Sequence, residues 1–290
     1  MATFISVPLK KSSEVDLVKP LSKFVTATYP AGEEQTEYIR AVEELNKLRK
    51  NALGRPLDKH ESSLEIVLRY YDQLCAVEPK FPFSENQLCL TFTWKDAFDK
   101  GSLFGGSVKL ALASLGYEKT CVLFNAAALA SQIASEQNLD NDEGLKTAAK
   151  YYQRSVQPHQ DTVLSALNRE PTMDISPETV GTLSLIMLAQ AQEVFFLKAT
   201  SDKMKDAVIQ CQYKDNLPKS ADLRHSSNQS PTTIKHQYTK KHFISPQHKQ
   251  CMGESCLLHV HISVCCLTVT DTPESPYFRL FWILVSGILP

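Results

Sequence analysis

The chain has 290 residues, 43% of them hydrophobic and 22% charged, with a formal net charge of −1. That length suffices for one large domain or two small ones, and the composition is that of a soluble globular protein. A balance so close to zero gives the whole chain no electrostatic signature for nucleic acid or an anionic membrane surface. The charge is unevenly placed, however. From Lys219 onward there are 4 acids, 7 bases and 6 of the 8 histidines, against 28 acids and 24 bases before it.

Cys75, Cys89, Cys121 and Cys211 stand singly among apolar or helical neighbours, the habit of reduced, buried cysteine in a cytosolic protein. Met1–Lys10 has no basic region followed by a long apolar core, so no secretory signal is expected. The longest apolar run, Phe278–Leu289, contains Arg279 and falls short of the roughly 20 residues of a spanning helix, so no transmembrane segment is expected.

In chain order, residues 4–9 alternate loosely and suit a short strand. Glu33–Lys50 is an amphipathic helix, with Ile39, Val42, Leu45 and Leu48 at three-residue steps. A second helix spans Ser62–Val77 and ends before Pro79 and Pro82. Leu88, Leu90 and Phe92 then alternate with Cys89, Thr91 and Thr93 as in a strand. After Gly101, Gly105 and Gly106, residues Val108, Leu110 and Leu112 either complete a hairpin or begin a helix, since Ala and Leu favour both readings here. Tyr117–Gln137 and Asp142–Gln153 read as helices. Ser176 before Pro177 is a capping hydroxyl followed by a proline at the first helical position, opening a helix to about Leu197. Asp202 is placed to cap a short helix containing Met204, Val208 and Ile209. The fold class is therefore mainly α: a stack of antiparallel helices resembling a tetratricopeptide solenoid, with a small N-terminal β-hairpin. Residues 220–250 are rich in Ser, His, Lys and Gln without periodicity and read as disordered, as does the remainder of the tail.

No catalytic constellation emerges. Gly101–Ser107 is glycine-rich but lacks the Gly-Lys-Ser/Thr ending of a phosphate loop. Cys251, Cys256, His259 and His261 have zinc-ligand chemistry, but their spacing is not that of a zinc finger, and no metal or other cofactor is assigned.

Long irregular runs carry the family signal: Gly54-Arg-Pro-Leu-Asp-Lys-His60, Phe81-Pro-Phe-Ser-Glu-Asn86, Leu90-Thr-Phe-Thr-Trp-Lys-Asp-Ala97, Leu112-Ala-Ser-Leu-Gly-Tyr-Glu-Lys119, Asn138-Leu-Asp-Asn-Asp-Glu-Gly-Leu-Lys146 and the stretch Val180–Leu197. With them the chain resembles the BRO domain family of endosomal sorting adaptors. The resemblance divides the chain into a partial BRO domain, residues 1–219, and a divergent tail, residues 220–290. It implies a curved, mostly helical domain without enzymatic activity. It also implies a cytoplasmic protein recruited to endosomes, whose partner is the C-terminal amphipathic helix of an ESCRT-III subunit (the charged multivesicular body protein 4 group). The groove positions carried over are Asp142, Lys146, Phe195, Met204 and Val208. In such helix-in-groove recognition Phe195, Met204 and Val208 supply apolar surface, and Asp142 and Lys146, four residues apart, frame the rim with charge.

Three stretches depart from the family pattern. Arg154–Asp161 replaces a continuous apolar-faced helix and contains Pro158, which inside a helix costs about 3 kcal/mol. A helical segment is missing after Ile209, and nothing beyond Lys219 continues the family's helices. An alternative product is thus a truncated splice or gene-model variant with impaired folding and no autonomous activity.

Overall fold

A computed structural model describes residues 4–83, 88, 90–99, 107–156 and 170–203. The expectations for Pro158, for most of the Gly101–Ser107 loop, for Met204 and Val208, and for the tail with its cysteines and histidines lie outside them.

Six helices are described: α1 (Val18–Thr28), α2 (Glu33–Leu53), α3 (Glu61–Val77), α4 (Leu115–Ser135), α5 (Asp142–Ser155) and α6 (Pro177–Ser201). Each packs on the next in chain order, α1 on α2 through to α5 on α6. Sequential packing of this kind is the habit of helical stacks, in which every element buries its apolar side against its neighbours. Between α3 and α4 lies an antiparallel hairpin of β1 (Phe92–Lys95) and β2 (Lys109–Leu112), in the register Phe92 opposite Leu112 and Trp94 opposite Leu110. The hairpin reading of Val108–Leu112 is therefore correct. The strand, however, begins at Phe92 rather than Leu88.

Local chemistry accounts for the helix starts. Ser114 accepts a hydrogen bond from the Tyr117 amide, Asn141 from Gly144 and Ser176 from Thr179, so each satisfies one otherwise orphaned donor. His60 plays the same part for α3, accepting from the Ser62 amide, and moves that helix start to Glu61. Helix α1 was not among the expected elements. Leu21 and Val25, four residues apart and fully buried, are its inward stripe.

Residues 4–9 are not a strand. They carry no regular secondary structure, and the hydrogen bonds of the Ile5 and Val7 amides go to side chains on α6 and α4. Strand-like pairing occurs a little later, where the Ser13 amide donates to the Thr93 carbonyl and the Lys95 amide to the Lys11 carbonyl. Of the scattered cysteines, Cys121 is buried as expected, whereas Cys75 is exposed.

Among the described residues two ion pairs are buried in the core, Arg49 with Glu118 and Lys10 with Asp174. Glu118 on α4 is fully buried and accepts from Arg49 Nε on α2 (3.0 Å), Tyr70 Oη on α3 (3.0 Å) and Trp94 Nε1 on β1 (2.6 Å). Burial pushes its carboxyl pKa up, and the Arg49 guanidinium with the Trp94 and Tyr70 donors pulls it back. Glu118→Ala would leave the Arg49 charge, the Tyr70 hydroxyl and the Trp94 N–H without their partner. Loss of one member of a buried pair costs roughly 3–5 kcal/mol, so urea unfolding at pH 7 should show a loss of that size. A loss below about 1 kcal/mol, the worth of an exposed pair, would contradict the assignment.

Candidate functional site

The N-terminus of α5 and the C-terminal turns of α6 lie against each other, with Asp142 and Lys146 on the first and Phe195 on the second. Asp142 is the first residue of α5, where the helix dipole favours a carboxylate. Its Oδ2 lies 2.5 Å from Lys146 Nζ one turn on, the pairing expected from the four-residue spacing. Its Oδ1 lies 2.6 Å from Lys198 Nζ on α6. Lys198 in turn pairs with Asp202 just past the end of α6. The result is an alternating array, Lys146–Asp142–Lys198–Asp202, that ties the two helix ends together.

The titration of these groups follows the contacts. Hydrogen bonds from Lys146 and then Lys198 hold the Asp142 carboxyl below its usual range. Asp142 raises Lys146, and Asp142 together with Asp202 raises Lys198. All three groups therefore stay charged across the neutral range.

Phe195 stands one turn before Lys198 on α6. It is 37% exposed, uncommon for so large an apolar side chain, while Val194 beside it is fully buried. Leu188, half-buried, is two turns back on the same face, and Leu185, also partly exposed, lies one turn further. The opposite sides of α6 are core: Met187, Ala191 and Val194 are fully buried. This double duty explains why the helix is apolar all round. It is long and apolar enough to cross a membrane by length and composition alone.

Lys198 and Asp202 were not among the expected site residues, because Asp142, the partner of Lys198 on α5, is 56 positions away in the sequence and Asp202 enters the array only through Lys198. Gly144 was missed too. A Cβ there would lie 1.8 Å from the Asn138 carbonyl oxygen, so only glycine lets the 138–141 turn close over the start of α5. The turn after α6 carries a second backbone signal: Lys203 has φ of 52°, the left-handed conformation common just past a helix end. Among the described residues no group of three or more His, Cys, Asp or Glu side chains is placed to hold a metal ion. What the site offers is a half-exposed aromatic and aliphatic track beside fixed charges, the chemistry of protein–protein recognition.

Comparison with known proteins accords with this arrangement. The family model of the BRO1-like domain matches residues 4–243. The chain is 76% identical over 238 residues to the programmed cell death 6-interacting protein of Xenopus laevis and 74% identical over 239 residues to that of Homo sapiens. Each alignment covers 76% of this chain and 28% of the relative, so the chain spans little more than a quarter of those proteins. Among solved structures, the ALIX BRO1 CHMP4C complex matches with a TM-score of 0.69 at 74% identity, covering 75% of this chain and 67% of that one. A structure described as the basis for endosomal targeting by the Bro1 domain matches at 0.57 and 29% identity, covering 69% of this chain and 53% of that one. The helical stack with its small hairpin is thus the fold of the ALIX BRO1 domain, and the chain belongs to the BRO1-like domain family.

Proposed function

We propose that the chain is a non-enzymatic adaptor of the endosomal sorting (ESCRT) machinery. Residues 1–219 bind the C-terminal amphipathic helix of an ESCRT-III subunit of the charged multivesicular body protein 4 group, in multivesicular-body sorting and membrane scission. The protein is cytoplasmic and reaches endosomes through that partner. Phe195 carries the reading: it is 37% exposed one turn before Lys198 of the charge array, and the family resemblance assigns it to the groove. The relative's structure in complex with CHMP4C supports the choice of partner.

The division of labour follows from the environments. Phe195 docks an apolar face of the incoming helix, with Met204 and Val208 assigned to the same surface. Asp142 and Lys146 are exposed, so they orient the partner and speed encounter more than they add affinity. Lys198 positions Asp142 by fixing the start of α5 on α6.

Three outcomes are expected. A synthetic ESCRT-III C-terminal helix should bind the full chain with micromolar affinity, about −8 kcal/mol, in isothermal titration. Phe195→Asp should lower that affinity at least about a hundredfold, the 2 kcal/mol or more of a central anchor, without lowering the unfolding temperature. Equal binding by both chains, or none by a cooperatively folded wild type, would refute the site. Lys198→Met should slow association and reduce its salt dependence, read by stopped flow between low and physiological ionic strength; unchanged kinetics would remove the charge array from recognition. Gly144→Ala should destabilise the chain by about 1–3 kcal/mol through the forced contact with Asn138 and weaken the helix peptide as well. A neutral substitution would show that the 138–141 turn relaxes freely.

A further inference from the structure

The first described residues, Phe4–Lys10, have no regular secondary structure of their own and lie against α4 and α6. Helices offer such a chain no ladder, because their own backbone groups are already paired along the helix. Side chains supply the pairing instead. At Ile5 the amide donates to Gln190 Oε1 (2.5 Å) and the carbonyl accepts from Gln190 Nε2 (3.0 Å). At Val7 the amide donates to Ser131 Oγ (2.9 Å) and the carbonyl accepts from Gln132 Nε2 (2.7 Å). At Lys10 the amide donates to Asn125 Oδ1 (2.7 Å) and the carbonyl accepts from Asn125 Nδ2 (3.0 Å).

The spacing of these clamps is matched to an extended ligand. Asn125 and Gln132 are seven residues apart on α4, about 10.5 Å along its axis. Val7 and Lys10 are three residues apart in extended chain, about 10 Å. The segment therefore runs antiparallel to α4 in register with its clamps. Side chains are read at the same three-residue interval: Phe4 packs on Tyr152 of α5 with ring centroids 5.6 Å apart, Val7 is buried, and the buried Lys10 ammonium pairs with Asp174. Clamping the backbone polar groups along a segment, with pockets for chosen side chains, is how proteins recognise peptides in extended conformation.

The helices that wall this groove are also tied to one another through α5. Helix α5 packs on both α4 and α6. Beyond Lys10 the segment continues into the stretch that pairs with β1 and leads on to α1 at Val18. We propose that the α4–α6 face is an extended-peptide groove selective for the pattern Phe-x-x-Val-x-x-Lys, filled in cis by residues 4–10 and open to the same residues of a second copy, so that two chains exchange their N-terminal segments. The occupant is this chain's own sequence because every contact just named fits it.

The test uses a fluorescein-labelled peptide of residues 4–13 and the full-length chain, read by anisotropy. A full-length Val7→Asp chain, its own segment weakened, should bind the wild-type peptide at least tenfold more tightly than the wild-type chain does. The same peptide carrying Lys10→Glu should not bind. A folded Val7→Asp chain that ignores the wild-type peptide would overturn the proposal, as would equal binding of the Lys10→Glu peptide. Hydrogen exchange on the wild-type chain decides the matter if Val7→Asp does not fold. The Ile5, Val7 and Lys10 amides should then exchange together and at least tenfold faster than the amides of α4. Exchange of all of them only at the rate of global unfolding would show a segment that never leaves its groove.

Discussion

A single buried carboxylate organises the front half of the molecule. Glu118 has no access to solvent, and its hydrogen-bond partners come from α2, α3 and β1. A charge in that position is tolerable only with all its partners in place, since an isolated ion in a protein interior is strongly disfavoured. The Arg49 side chain extends the constraint, reaching Ser12 Oγ at 2.6 Å and so fixing where the N-terminal segment turns towards the hairpin. Helices that could otherwise slide along apolar faces are thereby held in one register. The structure thus obtains specificity from a group that adds little net stability by itself.

The same device recurs with different chemistry at two other places. Along the N-terminal segment, amide and hydroxyl side chains take the part of a missing strand, and Lys10 with Asp174 supplies an ion pair as buried as that of Glu118. Asp96 joins that second centre by accepting from the Asp174 amide, and burial with the neighbouring Asp174 charge raises its carboxyl pKa. At the far end of the stack Lys198 joins α5 to α6 in the open, where solvent screens the pairs and their role is to orient. Buried polar centres thus fix the frame, and an exposed one lies beside Phe195, where a partner would meet it.

Much of this was legible in the residues. Helices α2 to α6 follow apolar periodicity and capping residues, and their limits differ from expectation by a few positions at most. The pairing of Asp142 with Lys146 follows from helical spacing alone. What escaped depends on distance in the chain. Residues 4–9 alternate as a strand does, but their partners lie 124 to 185 residues away on helices, and no local pattern announces them. Helix α1 is short and carries Pro20 near its start, which masks the spacing of Leu21 and Val25. Lys198 resembles any exposed cation until α5 is laid against α6. Glu118 likewise resembles an ordinary first-turn acid until α2, α3 and β1 close around it. The exposure of Phe195 is a tertiary fact, and only the family resemblance pointed to it from the sequence.

The most direct measurement is hydrogen exchange on the full chain, with and without a saturating synthetic C-terminal helix of an ESCRT-III subunit. Binding across Phe195 and the charge array predicts slowed exchange at Asp142–Lys146 and Phe195–Lys203, with α1 and α2 unchanged. Unchanged exchange at both helix ends, or protection concentrated on α1 and α2, would contradict it.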